Sequence, residues 1–315
     1  MLSNAGVAVL EALTSGREAT PEALASEAGY SREHVYRVLD DLLAAGLLFE
    51  SRGTNNRRRV RVADHPVVEA YRHLDVNLGH VEWPELLTPA TIRVSWYLDE
   101  PRRVPTIADR LGISRQAVYD VVSPLKHRAM LSPAGPEYAL ADDVRPLLSF
   151  VRAVVEHEHR ARVRQLAAGA TVEWSDPRRA LVRAHEPDGT DALRAADDWQ
   201  LTGLAKFRDF GLRFYTSGEP AFWYGPDELT APEVVCHALL VERDSRRTSY
   251  AMLLIERAGI DEERLASVAS WYGLERAVTV MYEAIDGNFD RTDDGAVRLP
   301  SESEYEALKS EYAVT

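Results

Sequence analysis

Apolar residues recur at helical spacing from the start of the chain. Over residues 4–15 the apolar set Val7, Val9, Leu10 and Leu13 shares one helical face, and Gly16 ends the segment. Thr20-Pro21-Glu22 then reads as a helix start, an N-cap followed by proline at the first helical position. That helix runs through Leu24 to Ala28 and closes at Gly29, and Ser31 caps the next one. After Gly46 the period changes from helical to alternating. LLFES, Leu47 to Ser51, suits a strand, RGTNN supplies turn residues, and RRRVRV, Arg57 to Val62, alternates as a returning strand. Three short helices followed by a β-hairpin predict a winged helix-turn-helix over residues 1–64.

The pattern then repeats. LASEAGYSREHVYRVLDDLL, Leu24 to Leu43, aligns without a gap on IADRLGISRQAVYDVVSPLK, Ile107 to Lys126. Gly29 meets Gly112, Ser31-Arg32 meets Ser114-Arg115, and Val35-Tyr36 meets Val118-Tyr119. ATIRVSWYL precedes the second copy and MLSPAGPEYAL follows it as a short hairpin, which predicts a second winged helix at residues 90–141. A helical linker at 65–89 joins the two. Pro124 stands where the first copy has Asp41, and a proline inside a helix predicts a kink or an end there. From Asp142 or Asp143 a long helix, with Pro146 tolerated in its first turn, predicts a linking or dimerisation element at 142–169.

Beyond residue 170 the texture becomes mixed. ALVRAH, LRFYTS and AFWYG read as strands, and APEVVCHALLV fits helix or strand. TSYAMLLIER is a continuous apolar run of strand length, suited to a sheet buried on both faces. Asp261-Glu262-Glu263 and LERAVTVMYEAI begin two helices. These readings give an α/β domain at 170–290 and a loosely held polar tail at 291–315. The fold class is multidomain α+β: two tandem winged helix-turn-helix domains followed by a mixed α/β domain.

Charge alters the functional reading. The chain of 315 residues carries 50 Asp and Glu against 37 Lys and Arg, a net charge of -13, and only Lys126, Lys206 and Lys309 are lysines. Acid-rich, lysine-poor proteins are typical of organisms that keep molar salt in the cytoplasm, where ions screen repulsion within about 3 Å at 1 M. A GC-rich genome would also favour arginine over lysine, but the halophilic reading is preferred. In such a chain global acidity is background, and local basic patches carry the information. No apolar run approaches the roughly 20 residues of a membrane span, and the N-terminus lacks the basic start of a secretory signal. With the single cysteine Cys236, no intrachain disulfide can form. The expected location is cytoplasmic, with no membrane partner.

The basic patch lies in the first module. In winged helices the second helix of the turn pair enters the major groove, and its N-terminal residues reach bases and phosphates. Ser31, Arg32, His34, Tyr36 and Arg37 are the expected contacts, with Val35, Val38 and Leu39 in the core. The wing adds Arg52, Asn55, Asn56, Arg57, Arg58, Arg59 and Arg61, with Thr54 beside the asparagines. Alternation puts Arg57, Arg59 and Arg61 on one face and Arg58, Val60 and Val62 on the other. The first set suits phosphate or minor-groove contact. The bland alternatives are a solvated helix face and an edge strand protected by charge. The second copy offers Ser114, Arg115, Gln116 and Tyr119 as a further DNA contact, but its wing tip SPAGPE has no base, so packing or dimerisation serves it equally well.

Catalytic signals are weak. Cys236 among valines and leucines reads as a buried apolar residue. His157 and His159 in EHEHR stand two apart on a helix, which points them away from each other and predicts a solvated face. No Walker loop, GxGxxG, HExxH or zinc spacing occurs. TSGEP, Thr216 to Pro220, invites comparison with a nucleotidyltransferase start, but no Asp-x-Asp pair follows it. No enzyme activity, metal or cofactor is expected.

WQLTGLA from Trp199, TSYAMLLIE, DEERL and ASWYGLE together resemble the nucleotidyltransferase-like C-terminal region of AbiEi-type antitoxins and related archaeal winged-helix regulators. The "LTG-x-A" element matches loosely, because Lys206 replaces a small residue. The resemblance covers about residues 170–290. It implies a DNA-binding regulator whose C-terminal domain engages a protein or small-molecule effector. The tandem modules depart from a one-module antitoxin, which puts a toxin partner in doubt. The expectation is a haloarchaeal, homodimeric transcriptional regulator of double-stranded DNA. The rivals are a replication or partition initiator and a nucleotidyltransferase-type enzyme.

Overall fold

A computed structural model describes residues 2–52, 57–214, 218–289 and 295–314. The chain divides into two compact units, Met1–Ala161 and Arg162–Thr315.

In the first unit, helix α1 (Asn4–Leu13) starts where the Ser3 hydroxyl accepts from the Gly6 amide, 3.1 Å away, and Val7, Val9, Leu10 and Leu13 are fully buried. Helix α2 (Pro21–Ala28) is capped by Thr20 and ends at Gly29, whose φ of 72° is left-handed. Helix α3 (Arg32–Ala44) is capped by Ser31 and buries Val35, Val38, Leu39 and Leu42. Strands β1 (Leu48–Arg52) and β2 (Arg58–Val62) pair antiparallel, with Leu48 opposite Val62. Ala19, just before α2, bridges to Val60 on the free side of β2 through two backbone hydrogen bonds of 3.0 and 2.9 Å.

After α4 (Pro66–Asn77) and α5 (Trp83–Leu86), the order recurs as α6 (Pro89–Trp96), α7 (Val104–Leu111), α8 (Arg115–His127), β3 (Leu131–Ala134) and β4 (Glu137–Leu140). The correspondence is residue for residue: α7 and α8 repeat the lengths of α2 and α3, and Arg102, the counterpart of Ala19, bridges to Tyr138. The first helix is two residues shorter, 8 against 10, and the hairpin is shorter too, since Leu131 pairs with Leu140 whereas Leu48 pairs with Val62. The expected break at Pro124 does not occur, because α8 continues to His127. The hydrogen bond the proline cannot donate belongs to the carbonyl of Asp120, an exposed residue where water can take its place.

A 3₁₀ turn at Asp142–Val144 leads into α9 (Arg145–Arg164). Leu147, Phe150, Val151, Val154 and Val155 are buried. Phe150 meets Tyr71 of α4 edge-on at 5.5 Å, and Arg152 pairs with Asp99 at 3.1 Å. The apolar face of this helix is covered within its own chain. The solvated-face reading of EHEHR is also corrected. His159 is buried, and the His157 ring packs edge-on against His65 at 4.7 Å. A pattern read on an isolated helix cannot show that a neighbouring element covers its polar side.

The second unit centres on an antiparallel sheet of β5 (Thr171–Asp176), β6 (Arg179–Arg183), β7 (Trp199–Thr202) and β8 (Ala221–Tyr224), in the order β5-β6-β8-β7. Alternation sends Leu181, Ala221 and Trp223 into one core and Ala180, Val182 and Phe222 into another. The second core is completed by Val163, Ala167 and Leu193 of α10 (Pro187–Ala195). The first is covered by the 3₁₀ segment Gly203–Phe210 and by α11 (Ala231–Val241), α12 (Ser245–Ala258), α13 (Glu262–Ala269) and α14 (Glu275–Ile285).

Three expectations change here. TSYAMLLIER is helical within α12, capped by Asp244 and ended by left-handed Gly259, so an apolar run of strand length is a buried helix. In LRFYTS, Leu212 to Phe214 belong to no strand, and residues 215–217 lie outside the described residues. The tail contains α15 (Glu302–Tyr312), whose Tyr305 is 1% exposed and whose Lys309 pairs with Glu256 at 2.8 Å.

Candidate nucleic-acid interface

The first hairpin and α3 bring most of the expected residues together. At the start of α3 the Ser31 hydroxyl accepts from the His34 amide at 3.3 Å. Arg32 and Arg37 are exposed, His34 and Tyr36 are half-buried, and the His34 and Tyr30 rings lie 5.3 Å apart. The same exposed surface carries Glu33, Asp40 and Asp41, and Arg37 reaches Glu33 at 3.9 Å. The face is therefore mixed in charge.

Strand β2 separates its arginines by the side to which they point. Arg59 and Arg61 are exposed, Val60 and Val62 are buried, and Arg58 shares the inner side with the valines. Arg57, just before the strand, is exposed. Across the hairpin Ser51 stands opposite Arg59 and Phe49 opposite Arg61. Phe49 is 51% exposed, with the Arg61 guanidinium 5.1 Å from its ring centre. Arg52 is exposed and stands opposite Arg58. Asn55 and Asn56, with Thr54, lie outside the described residues.

Arg58 differs from its neighbours. Its Nε donates to Glu50 at 2.9 Å and its Nη2 to Asp40 at 2.6 Å, and the guanidinium lies 5.7 Å from the Tyr36 ring centre. The Tyr36 hydroxyl donates to Glu22 of α2 at 3.1 Å. The bond to Asp40, reinforced by the charge of Glu50, raises the pKa of Arg58 further. Glu22 is held below the ordinary carboxylate range, first by a backbone hydrogen bond and then by Tyr36. Alternation alone separated Arg58 from Arg59 and Arg61. The partners Asp40 and Glu50 were missed, because acids on two other elements meet Arg58 only once the hairpin has folded back.

The second helix presents a plainer surface. Ser114 caps α8 through the Ala117 amide at 3.1 Å, and Arg115 is exposed. Gln116 donates to Asp120 at 2.8 Å. Tyr119 is 43% exposed, whereas its counterpart Tyr36 is held by Glu22.

The second unit holds buried polar groups. His237, fully buried, shares hydrogen bonds with Thr202 at 2.9 Å and Tyr272 at 3.2 Å, and Trp223 packs on its ring at 4.2 Å. Burial pushes the neighbouring Cys236 thiol far up, which keeps it protonated. Thr216 and Ser217 of TSGEP lie outside the described residues. Among the described residues no group of three or more His, Cys, Asp or Glu could hold a metal, and no helix is long and apolar enough to cross a membrane.

Residues 196–314 match a family model described as HVO_2833_C, C-terminal, a match consistent with a haloarchaeal origin. No curated protein matches the chain.

Proposed function

We propose that the two repeated modules are winged helix-turn-helix domains and that the chain is a sequence-specific, double-stranded-DNA-binding transcriptional regulator. The first module reads the major groove with α3, and its hairpin meets the backbone or the minor groove. The observation that carries this reading is the exposed set Arg57, Arg59 and Arg61 on the hairpin that follows α3, in a chain of net charge -13. The second module, with its shorter hairpin, supports the first. The second unit serves regulation or interaction, the role that its likeness to AbiEi-type regions implies.

Molar salt weakens phosphate binding steeply, by about 0.9 in log-log slope per neutralised phosphate. Base contacts from α3 and groove shape must therefore supply more of the affinity than in a protein working at low salt. The test is selection of binding sites from random duplexes in molar KCl, followed by footprinting. Replacing Arg57, Arg59 and Arg61 together by Ala is expected to abolish footprint protection with the fold intact. Retained protection would remove the hairpin from the interface. Genomic binding confined to one origin-like site, rather than dispersed promoters, would favour a replication or partition initiator instead.

A further inference from the structure

We propose that Arg58 is a positioning residue, which clamps the hairpin to α3 by pairing with two carboxylates, one on α3 and one on β1, while Arg59 and Arg61 are left to meet the nucleic acid. This rests on the DNA-binding reading of the first module. One guanidinium spans two acids on different elements: Asp40 on α3 at 2.6 Å and Glu50 on β1 at 2.9 Å. Its flat face lies toward Tyr36, whose hydroxyl extends the chain of contacts to Glu22 on α2. Three elements, β1, β2 and α3, thus meet at one side chain, and Tyr36 links it onward to α2. The Arg58 side chain is only 24% exposed, and Asp40 is 66% exposed.

Two physical consequences follow. Unpaired, Asp40 and Glu50 would leave two uncompensated negative charges next to the reading helix, where they would repel phosphate. The fork geometry also fixes the angle at which β2 leaves the module, because a planar guanidinium holds two carboxylates at once whereas an ammonium acts as a point charge. Arg59 and Arg61 have no acid partner among the described residues, and they point to the opposite side of the strand.

The difference between Arg and Lys makes the roles separable. A phosphate contact tolerates lysine, but a two-acid clamp does not. In the full-length protein, Arg58→Lys, Arg58→Gln and Arg59→Lys are compared for binding to the selected duplex and to a random duplex in molar KCl. Hydrogen exchange of the hairpin amides is measured in the same proteins without DNA. Both Arg58 variants are expected to lower the specific-to-random ratio about tenfold, a size typical of coupling within one ion-pair network, and to speed exchange across β1 and β2. Arg59→Lys should keep the ratio and the slow exchange. If Arg58→Lys behaves as wild type while Arg58→Gln fails, Arg58 is a phosphate contact and the clamp is refuted. Unchanged exchange in both Arg58 variants also refutes it. If the wild-type protein binds no duplex, the DNA reading falls and takes the positioning role with it. Faster exchange in the Arg58 variants would then leave only a structural clamp.

Discussion

The two modules solve the same backbone problem with different residues, and exchanging those residues tests the duplication energetically. After α3 the chain turns through Gly46, φ 71°, whose amide donates to Leu43 at 2.9 Å while the Leu47 amide reaches Leu42 at 2.9 Å. After α8 the same turn runs through Ala129, φ 56°, with amide bonds of 3.0 Å from Ala129 to Lys126 and 3.0 Å from Met130 to Leu125. This is a Schellman-type close, which favours glycine at the left-handed residue. An L-residue there costs about 1–2 kcal/mol. Glycine returns about 0.4–1 kcal/mol of that through the greater freedom of its unfolded chain. Ala129→Gly should therefore stabilise the first unit by about 0.5–1 kcal/mol, or about 1–4 °C for a unit of this size. Gly46→Ala should destabilise it by a similar amount. No atom lies within 4 Å of a β-carbon placed on Gly46, so the change isolates the backbone contribution. Urea titrations of both single variants and the double variant, with exchange of α3 and α8 amides to localise the effect, provide the assay. The double variant should return near wild type, because the sites share no partners. A fall in stability on Ala129→Gly, or a neutral Gly46→Ala, would refute the argument.

Asp176 is fully buried beside Arg179 at 3.4 Å and accepts from the Arg178 amide at 2.8 Å, while Arg179 keeps Asp227 at 2.5 Å, so Asp176→Ala should cost about 1–3 kcal/mol in urea unfolding of the second unit. Tyr272→Phe removes one partner of buried His237 and should cost about 1–3 kcal/mol in the same assay. Tyr305→Ala should undock α15, seen as new protease cleavage after residue 295, because truncating a buried aromatic costs about 3–5 kcal/mol. Burial, aided by Asp75 and Glu82, raises the pKa of Glu11 above its ordinary 4.5, so the folded state holds this proton more tightly than the unfolded state. That contribution is present below pH 4.5 and is lost as pH rises through the folded value, so Glu11→Gln should stabilise at pH 7 and change little at pH 4.

The helix caps made most of the first unit readable. Thr20, Ser31 and its repeat counterpart Ser114 each accept the amide hydrogen bond that their position suggests. Alternation likewise separated Val60 and Val62 from Arg59 and Arg61. What stayed hidden depended on partners distant in sequence. TSYAMLLIER carried no period that distinguishes a buried helix from a buried strand, although Asp244 and Gly259 marked its two ends. The tail looked loose because its polar residues outnumber the few that dock it: Val297, Tyr305 and Val314. At the candidate interface, alternation set Arg58 apart from Arg57, Arg59 and Arg61, but only the folded hairpin and the approach of Asp40 and Glu50 showed what Arg58 holds.

The strand order of the second unit bears on how its family segment can exist. Residues 196–314 contain β7 and β8 but not β5 and β6, and β6 is the neighbour of β8 in the sheet. A fragment cut at residue 196 would turn β8 into an open edge and strip Phe222 of Ala180 and Val182. Such a fragment should aggregate or pair with another chain through that edge.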